Sequence, residues 1–271
     1  MRRYWFKGRL DEGQRILIQG DTFHHIFQVC RTQPQEIFEL LGIKEGTAVQ
    51  VQVETVQKKQ AYVRVVGERP IEPLPFPRIV LNLCVPRFPI LDGVVEKAVE
   101  LGVWRMQLLC NQFSFIRDPS EFSRGRLERL NKIVLQATQQ TGRGSLMEVR
   151  GPLGWTQWCQ VIQGINRDLN YLGLMAYESL GGHGSLKSTL SDLLKIGDNV
   201  TKDQGSKVAS SPLCPQEIWI LVGSEGGFSF QEVEEMKGLG WRVISLGSQI
   251  LRVETACVVV VTSLKYELGQ L

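Results

Sequence analysis

The chain has 271 residues, which at roughly 150 residues per domain allows one large domain or two modest ones. Its 43% hydrophobic and 22% charged residues are typical of a globular protein and argue against a disordered, collagenous or fibrous chain. Because 31 Lys and Arg face 28 Asp and Glu, the net charge of +3 does not by itself indicate a nucleic-acid partner, so any basic surface must be local.

Cysteine usage and hydropathy give no sign of secretion, a membrane span or a structural metal. The six cysteines are scattered without a Cys-x-x-Cys pair, which argues against a zinc ribbon and against a dense disulfide framework. The apolar run behind the first arginines is only Tyr4–Phe6, too short for a signal peptide. The longest apolar run, 256–261, falls far below the roughly 20 residues of a membrane span. We therefore expect a cytoplasmic protein without membrane contact or bound metal.

The first 73 residues are predicted to form a small β domain. Apolar and polar side chains alternate over Val49–Glu54 and again over Ala61–Val65, with a polar turn between them, which indicates a hairpin with one buried face. A further strand is expected at Arg15–Gln19, before a helical turn that carries His24 and His25. These elements fit a small antiparallel barrel or sandwich.

A proline-rich segment marks the predicted domain boundary. Four prolines stand in the nine residues from Arg69 to Pro77, which stiffens the backbone and excludes a helix or a central strand there. We therefore divide the chain into domains 1–73 and 74–271.

The second domain is predicted to be α/β with a parallel sheet, because short continuous apolar runs alternate with amphipathic helical segments. The strands are expected at Ile79–Val85, Met106–Cys110, Leu169–Ala176, Glu217–Val222 and Trp241–Leu246. The helices are expected at Ile90–Leu101, at Ser123–Thr141, from the capping box of Ser229 and Glu232 to Lys237, and after Ala256 to about Leu268. The polar stretch 181–215 is predicted to be a variable surface loop without chemistry of its own.

Missing motifs narrow the range of enzyme classes. The sequence contains no Gly-Lys dipeptide and hence no Walker A loop, and it contains neither HExxH nor GxSxG. No GxGxxG follows the first strand of the α/β domain. The absence of these motifs therefore disfavours kinase-like, zincin, serine-hydrolase and ordinary dinucleotide-binding functions.

Two strand-to-helix loops near the C-terminus carry the residues that stand out. Gly223, Gly226 and Gly227 allow the backbone to approach a ligand closely and leave N–H groups at a helix start, although a tight turn explains them equally well. In the second loop Arg252 and Glu254 flank a helix start, where an exposed ion pair is the plain alternative. A binding site becomes the better interpretation only if the two loops lie together.

Taken together, the two loops resemble a known family. Gly223-Ser-Glu-Gly-Gly-Phe-Ser and Ser245-Leu-Gly-Ser-Gln-Ile-Leu-Arg-Val-Glu-Thr-Ala are similar to the signature of the RsmE family of SPOUT methyltransferases, which methylate N3 of a uracil in 16S ribosomal RNA. The segments 24–31, 96–102 and 136–143 also fall where that family has similar motifs. The chain has Ser224 where the family usually has proline, and Phe113 where it tends to have arginine.

The resemblance implies a PUA-like β-barrel followed by a SPOUT α/β domain whose C-terminal part forms a trefoil knot. It also implies a homodimer, with S-adenosyl-L-methionine held by the knot loops. The cofactor-binding residues carried over to this chain are Ala176, Leu221, Val222, Gly223, Ser224, Glu225, Gly226, Gly227, Leu246, Gly247, Ile250, Leu251 and Arg252.

Methylation of N3 requires loss of the proton that this nitrogen carries, and hence a general base or cations that stabilise the uracil anion. We expect Arg252 to stabilise the anion and take Glu225 and Glu254 as candidate bases. The expected partner is 16S ribosomal RNA or the small ribosomal subunit, and residues 105–150, with 8 basic against 4 acidic side chains, give the best local indication of a polyanion. The RNA-binding candidates are Arg2, Arg3, His24, His25, Arg31, Arg117 and Arg143.

Two other functions remain open. The chain could be a noncatalytic RNA-binding or ribosome-assembly protein that keeps the fold, in which case it should not bind the cofactor. It could also be a related enzyme that methylates another base or a ribose 2′-hydroxyl, which mass analysis of the methylated nucleoside would reveal.

Overall fold

The computed structural model divides the chain into two units. Unit 1 comprises Met1–Pro73 and Leu135–Leu146, and unit 2 comprises Leu74–Val134 and Met147–Leu271. The predicted domains, 1–73 and 74–271, differ from these units in that residues 135–146 group with unit 1. The structure describes residues 2–6, 8, 15–44, 46–165, 170–178, 184–186, 188–189 and 215–271.

Unit 1 is built on a five-stranded sheet. Its strands are β1 (Arg3–Trp5), β2 (Arg15–Gln19), β3 (Ile37–Lys44), β4 (Thr47–Val56) and β5 (Gln60–Pro70). They lie in the order β1-β3-β4-β5-β2, and the predicted hairpin corresponds to β4 and β5. Val49, Val51 and Val53 are fully buried, as the alternation predicts for the inner face of a strand.

Two features of this sheet bear on the predicted antiparallel barrel or sandwich. Strand β1, which the sequence pattern did not reveal, pairs in parallel with β3 and aligns Tyr4 with Leu40. Among the described residues no pairing joins the edge strands β1 and β2, so hydrogen bonds do not close the sheet into a ring.

The proline-rich segment predicted as the domain boundary begins inside a strand, because Pro70 is the last residue of β5. A strand end tolerates the missing N–H of proline.

A short helical segment separates β2 from β3. Helix α1 (Gly20–Phe23) continues directly as a π-helical turn (His24–Val29). Phe23, Ile26 and Phe27 face the core, while His24 and His25 are exposed. The helical turn predicted around the histidine pair is therefore present.

A buried carboxylate ties unit 1 together. Glu39 is 2% exposed, and it accepts hydrogen bonds from Arg69 Nε at 2.6 Å, Arg69 Nη2 at 2.8 Å and Arg3 Nε at 2.7 Å. Arg3 Nη1 also donates to the carbonyl of Gly142 at 2.7 Å, which joins the segment 135–146 to β1. The hydrogen bonds from Arg69, and next those from Arg3, lower the pKa of Glu39 from 4.5 to about 2 against the opposing effect of burial.

We expect Glu39→Gln to lower the free energy of unfolding by about 2–3 kcal/mol, because it leaves two guanidinium groups without their shared carboxylate. The folded-state pKa of Glu39 lies below its unfolded value, so its contribution is complete above about pH 4.5 and is lost as the pH falls towards 2. Urea unfolding across this pH range measures both effects. The control is Glu54→Gln, which removes a more exposed carboxylate paired with Arg15 and Arg64. Equal losses in the two variants would contradict this account.

Unit 2 contains a seven-stranded sheet. Its strands are β6 (Arg78–Cys84), β7 (Arg105–Cys110), β8 (Glu148–Gly154), β9 (Tyr171–Ala176), β10 (Gly184–Ser185), β11 (Glu217–Val222) and β12 (Arg242–Ser245). Their order is β10-β12-β9-β11-β6-β7-β8, and each of these pairings is parallel. The prediction of an α/β fold with a parallel sheet is thereby confirmed.

Some parts of the sheet were not predicted. Strand β8 and the helix after it were not predicted, and β10 falls in the stretch predicted as a loop at 181–215. Most of that stretch lies outside the described residues, as does Leu169, the predicted start of β9.

The helices of unit 2 pack against the sheet through apolar faces. They are α2 (Phe88–Glu100), α3 (Arg124–Thr141), whose last turns belong to unit 1, α4 (Trp155–Ile165), α5 (Phe230–Gly238) and α6 (Val253–Glu267). Helix α5 begins at the predicted capping box, in which Ser229 accepts from the backbone N–H of Glu232. No helix among the described residues has the length and apolar character needed to cross a bilayer.

Parallel pairing brings the carboxyl ends of neighbouring strands to one edge of the sheet. The segments that begin at Val85, Asn111, Tyr177, Gly223 and Leu246 all leave the sheet at this edge. In open α/β sheets this is the edge at which ligands bind. The fold therefore places the two loops singled out from the sequence on the same side of unit 2.

Candidate functional site

A cleft lies at the carboxyl edge of the unit 2 sheet, between the loops that follow β9, β11 and β12. The empty space between these loops, counted together with the mouth that opens to solvent, is about 560 Å³. The two C-terminal loops therefore share one cavity. Its walls are formed by Ala176, Tyr177, Glu178, Val222, Gly223, Ser224, Gly227, Phe228, Ser245, Leu246, Gly247, Gln249, Leu251, Val253 and Ala256.

The loop after β11 folds back on itself and requires glycine at two positions. A Cβ atom at Gly223 would lie 2.8 Å from Cα of Gly227 and 3.0 Å from its carbonyl oxygen. Gly227 has a φ of +65° and donates its N–H to the carbonyl of Ser224 at 2.9 Å. The glycines thus form a tight turn and also expose backbone on the wall of the cleft. The tight turn and the close approach to a ligand, given above as alternative explanations of this motif, are therefore compatible.

Ser224 attaches the glycine loop to the loop after β7. Its side chain is buried, and Oγ donates to the carbonyl of Phe113 at 2.7 Å. Asn111 reinforces the junction, because its Nδ2 donates to the carbonyl of Gly227 at 3.0 Å. The serine that stands where the family usually has proline therefore makes a specific contact.

Glu232 also stabilises the junction between the glycine loop and the loop after β7. Its Oε2 accepts from the backbone N–H of Ser229 at 2.8 Å and from Asn111 Nδ2 at 3.2 Å, and its Oε1 accepts from the backbone N–H of Gln112 at 3.1 Å. Glu232 is only 6% exposed, so these hydrogen bonds replace the water that its carboxylate has lost. The sequence predicted only the capping role of this residue.

The predicted cofactor-binding residues divide into two groups. Eight of them lie on the walls of the cleft: Ala176, Val222, Gly223, Ser224, Gly227, Leu246, Gly247 and Leu251. Five do not: Leu221, Glu225, Gly226, Ile250 and Arg252. Leu221 is fully buried within β11, whereas Ile250 is 77% exposed. Glu225 and Gly226 lie in the glycine loop, and Ile250 and Arg252 in the loop before α6, but none of the four contributes to the wall.

The three predicted catalytic residues occupy different surroundings. Arg252 is exposed and forms the N-cap of α6. Glu254 stands in the first turn of the same helix, and its Oε2 is buried without a hydrogen-bond partner among the described residues. Glu225 is exposed, and its Oε1 accepts from the backbone N–H of Arg87 at 3.0 Å. Glu225 therefore braces two loops, whereas Glu254 retains an unpaired oxygen.

The walls of the cleft include a carboxylate that was not predicted from the sequence. Glu178 is exposed on the wall of the cleft, and its Oε1 would lie 3.6 Å from a Cβ atom at Gly227. Its position two residues beyond the end of β9 is the signal that could have identified it. Glu178 is the only carboxylate on the described walls of the cleft.

The predicted RNA-binding residues of the first 73 positions lie in unit 1. His24 and Arg31 are exposed, and Arg31 has a φ of +53°. His25 is exposed and contacts Tyr4 edge-on, with ring centroids 5.8 Å apart. Arg2 is exposed and donates to the carbonyl of Cys30 at 2.9 Å. Arg3, in contrast, is engaged by Glu39 and Gly142, which gives it a structural role.

Arg117 and Arg143 differ in their exposure. Arg117 is exposed in the loop before α3. Arg143 is only 9% exposed, and burial lowers the pKa of its guanidinium to about 10. Little of Arg143 is therefore available to a phosphate, which makes Arg117 the stronger of the two RNA-binding candidates.

Comparisons with known proteins agree with the resemblance drawn from the sequence. Ribosomal RNA small subunit methyltransferase E of Buchnera aphidicola is 23% identical over 98% of this chain and 94% of its own length. A crystal structure of the Neisseria gonorrhoeae enzyme of that name, bound to S-adenosyl methionine, has 21% identity and a TM-score of 0.75, covering 98% of this chain and 97% of that one. A Legionella pneumophila protein in complex with the cofactor SAM has 22% identity and a TM-score of 0.76, with coverage of 97% and 96%.

These structural neighbours establish a shared fold over nearly the whole chain. A family model described as an RNA methyltransferase domain matches residues 72–265, which is well over half of the chain and contains every wall of the cleft. The chain therefore belongs to the RNA methyltransferase domain family, as the resemblance predicted.

Proposed function

We propose that this protein transfers the methyl group of S-adenosylmethionine to N3 of a uridine in 16S ribosomal RNA. Membership of the RNA methyltransferase domain family supports the reaction class, and the relatives named small-subunit methyltransferase E support the choice of RNA. The neighbours that contain S-adenosylmethionine support the cofactor. The observation that carries the proposal is the single cleft shared by the loops after β9, β11 and β12.

The residues of the cleft fit S-adenosylmethionine. Close approach at Gly223 and Gly227 leaves peptide groups uncovered by side chains, which suits the polar groups of the cofactor. Leu246 and Leu251 provide apolar wall for an adenine ring. The carboxylate of Glu178 is suited to accept hydrogen bonds from ribose hydroxyl groups, the role that an acidic residue plays in many nucleotide sites. Among the described residues no cluster of His, Cys, Asp and Glu is arranged to hold a metal.

The chain's own residues have two tasks in the transfer. Bound S-adenosylmethionine supplies a methyl group attached to a positively charged sulfur. The protein must hold the uracil in line with that methyl group and must stabilise the anion left when N3 loses its proton. Arg252, a guanidinium at the N-cap of α6, serves the second task, aided by the positive end of that helix.

Two carboxylates beside the cleft are candidates to take the proton from N3. Glu254 has a buried oxygen without a partner among the described residues, two positions from Arg252. Glu225 is committed to the backbone N–H of Arg87, which disfavours it as a base. We therefore rank Glu254 ahead of Glu225.

We also propose the finer features of fold and assembly that the resemblance implies. The insertion of β12 between β9 and β10 and the closeness of the two C-terminal loops support a trefoil knot. The mostly antiparallel five-stranded sheet of unit 1 supports a PUA-like barrel. Ile250, three residues before α6, and Tyr266, in the last turn of α6, are 77% and 74% exposed, and these exposed apolar side chains support packing of a second copy as a homodimer. A ribosomal RNA substrate supports a site of action in the cytoplasm.

Mass analysis of nucleosides tests the reaction. Small-subunit RNA lacking the modification is incubated with the protein and isotopically labelled S-adenosylmethionine, then digested and separated. We expect label in 3-methyluridine. Label in another nucleoside would identify a related methyltransferase with a different target. Absence of label, together with absence of cofactor binding in a calorimeter, would identify a noncatalytic RNA-binding protein.

A further inference from the structure

The loop after β7 carries exposed aromatic side chains. Phe113 and Phe115 are 40% and 52% exposed. Phe115 contacts Phe88 edge-on with ring centroids 5.2 Å apart, and Phe88 contacts Phe122 with centroids 6.2 Å apart. We call these four phenylalanines of unit 2 the aromatic patch. Exposed aromatic side chains in such a cluster are a common sign of a binding surface.

Hydrogen bonds hold the two exposed rings in place. Ser114, between them, is buried, and its Oγ donates to Asn111 Oδ1 at 2.7 Å and accepts from the backbone N–H of Asn111 at 2.9 Å. The backbone N–H of Phe115 donates to the carbonyl of Val85 at 2.8 Å. Asn111 is anchored in turn by Glu232. A surface ordered in this way loses little conformational entropy when it binds a ligand.

Cations surround the aromatic patch. The guanidinium carbon of Arg126 lies 3.9 Å from the ring centroid of Phe88. Arg87 directly precedes Phe88 and Arg117 follows Phe115 by two residues; both are exposed, and neither forms an ion pair in the described part of the chain. Asp92 pairs with Arg126 and Arg129, whereas Asp118 and Glu121 accept hydrogen bonds from backbone N–H groups of their own turn. The guanidinium groups of Arg87 and Arg117 are therefore not paired with a carboxylate of the described residues.

The aromatic patch adjoins the loop that lines the cleft. Ser224 donates to the carbonyl of Phe113, and a Cβ atom at Gly226 would lie 2.7 Å from Cβ of Phe113. On the other side, the backbone N–H of Arg87 donates to Glu225. A nucleotide in contact with the patch would therefore be a neighbour of one that reaches the cleft.

We propose that Phe113 and Phe115 form a stacking surface for unpaired bases of the RNA substrate, with Arg87 and Arg117 holding the flanking phosphates. The proposal rests on the proposed function and adds that the substrate is single-stranded where it meets the enzyme. Unpaired bases stack on aromatic side chains beside cationic residues, whereas the base faces of a duplex are already covered. The unpaired guanidinium groups of Arg87 and Arg117 favour RNA over a second copy of this chain, because a purely apolar contact does not require them.

Binding of two RNA probes tests the proposal. Fluorescence anisotropy measures the affinity of the full chain for a short single-stranded oligouridylate and for an RNA duplex of equal length. We expect Phe113→Ala and Phe115→Ala each to weaken oligouridylate binding about tenfold or more, and to leave duplex binding unchanged. Phe115→Trp should retain the affinity, and Phe115→Leu should lose it, because stacking requires a ring.

The matched control is Phe230→Ala, which removes a phenylalanine that is 75% exposed at the start of α5. It should change neither affinity. Unchanged oligouridylate binding in both alanine variants, no binding by the unmodified protein, or a change of oligomeric state in sedimentation without a loss of RNA affinity would each overturn the proposal. The two proposals fail separately: an unmodified protein that binds oligouridylate through the patch but transfers no methyl group refutes only the proposed function.

Discussion

Arg252→Ala should reduce the rate of methyl transfer by about 100- to 1,000-fold, the usual cost of removing one group that stabilises a developing anion. Its affinity for S-adenosylmethionine should remain within about twofold of the unmodified protein, because Arg252 is exposed and is not on the wall of the cleft. The loss should therefore fall on kcat, since the guanidinium is required when N3 carries negative charge rather than when the cofactor binds. Single-turnover transfer and calorimetric titration with the cofactor measure the two quantities.

Two further variants control for charge and position. Arg242→Ala removes an exposed arginine from the start of β12, the end of the strand opposite to the cleft, and should be active. Arg252→Lys keeps the positive charge but loses the planar donor geometry, and it should recover part of the rate. An equal loss of cofactor affinity in Arg252→Ala would instead assign Arg252 to cofactor binding.

Gly223→Ala should abolish measurable cofactor binding, with a fall in affinity of at least about 100-fold. The added methyl group would meet backbone atoms of Gly227 at 2.8 and 3.0 Å, and backbone cannot turn aside as a flexible side chain can. The loop must therefore shift and carry the backbone groups on the wall of the cleft with it. Because a misplacement of about 1 Å at a site can cost about 100-fold, we expect a loss of that order. We also expect the free energy of unfolding to fall by about 1–3 kcal/mol from overpacking. Calorimetric titration and urea unfolding test the two effects.

Gly238→Ala is the matched control for this substitution. Gly238 ends α5, and a Cβ atom there has no heavy atom within 4 Å. Alanine in a helix is favoured over glycine, so this variant should be slightly more stable and bind the cofactor normally. If Gly223→Ala binds the cofactor as well as Gly238→Ala does, the close approach at Gly223 does not shape the site.

Local signals predicted most of the elements of unit 2. The capping box at Ser229 and Glu232 identified the start of α5, and the continuous apolar run of β11 identified a strand buried on both faces. Both signals lie within a few neighbouring residues, and the local backbone responds to them directly. Of the missed elements, β8 has a weak strand pattern because it contains two glycines and a proline. Helix α4, in contrast, is clearly amphipathic, and its pattern was overlooked.

Long-range contacts give some residues roles that the spacing of residues along the sequence could not reveal. Glu232 also receives hydrogen bonds from Asn111 and Gln112, about 120 positions earlier in the chain. Glu39 lies in a strand of unit 1, but its carboxylate is buried because Arg3 and Arg69 approach it from two other strands. Arg143 belongs to a motif that resembles the family, yet packing shields it from solvent.

The sequence by itself determined the parallel sheet and the two glycine- and arginine-bearing loops, because turns, caps and periodicity are encoded by residues close together in the chain. The reaction class came from the resemblance of those loops to a known family. Only the tertiary structure decided which side chains reach the cleft: Glu178 does, Glu225 is held away by Arg87, and Arg252 stands exposed at its helix end. The direction of a side chain is set by what packs against it, and those partners come from distant segments that meet only when the sheet has formed.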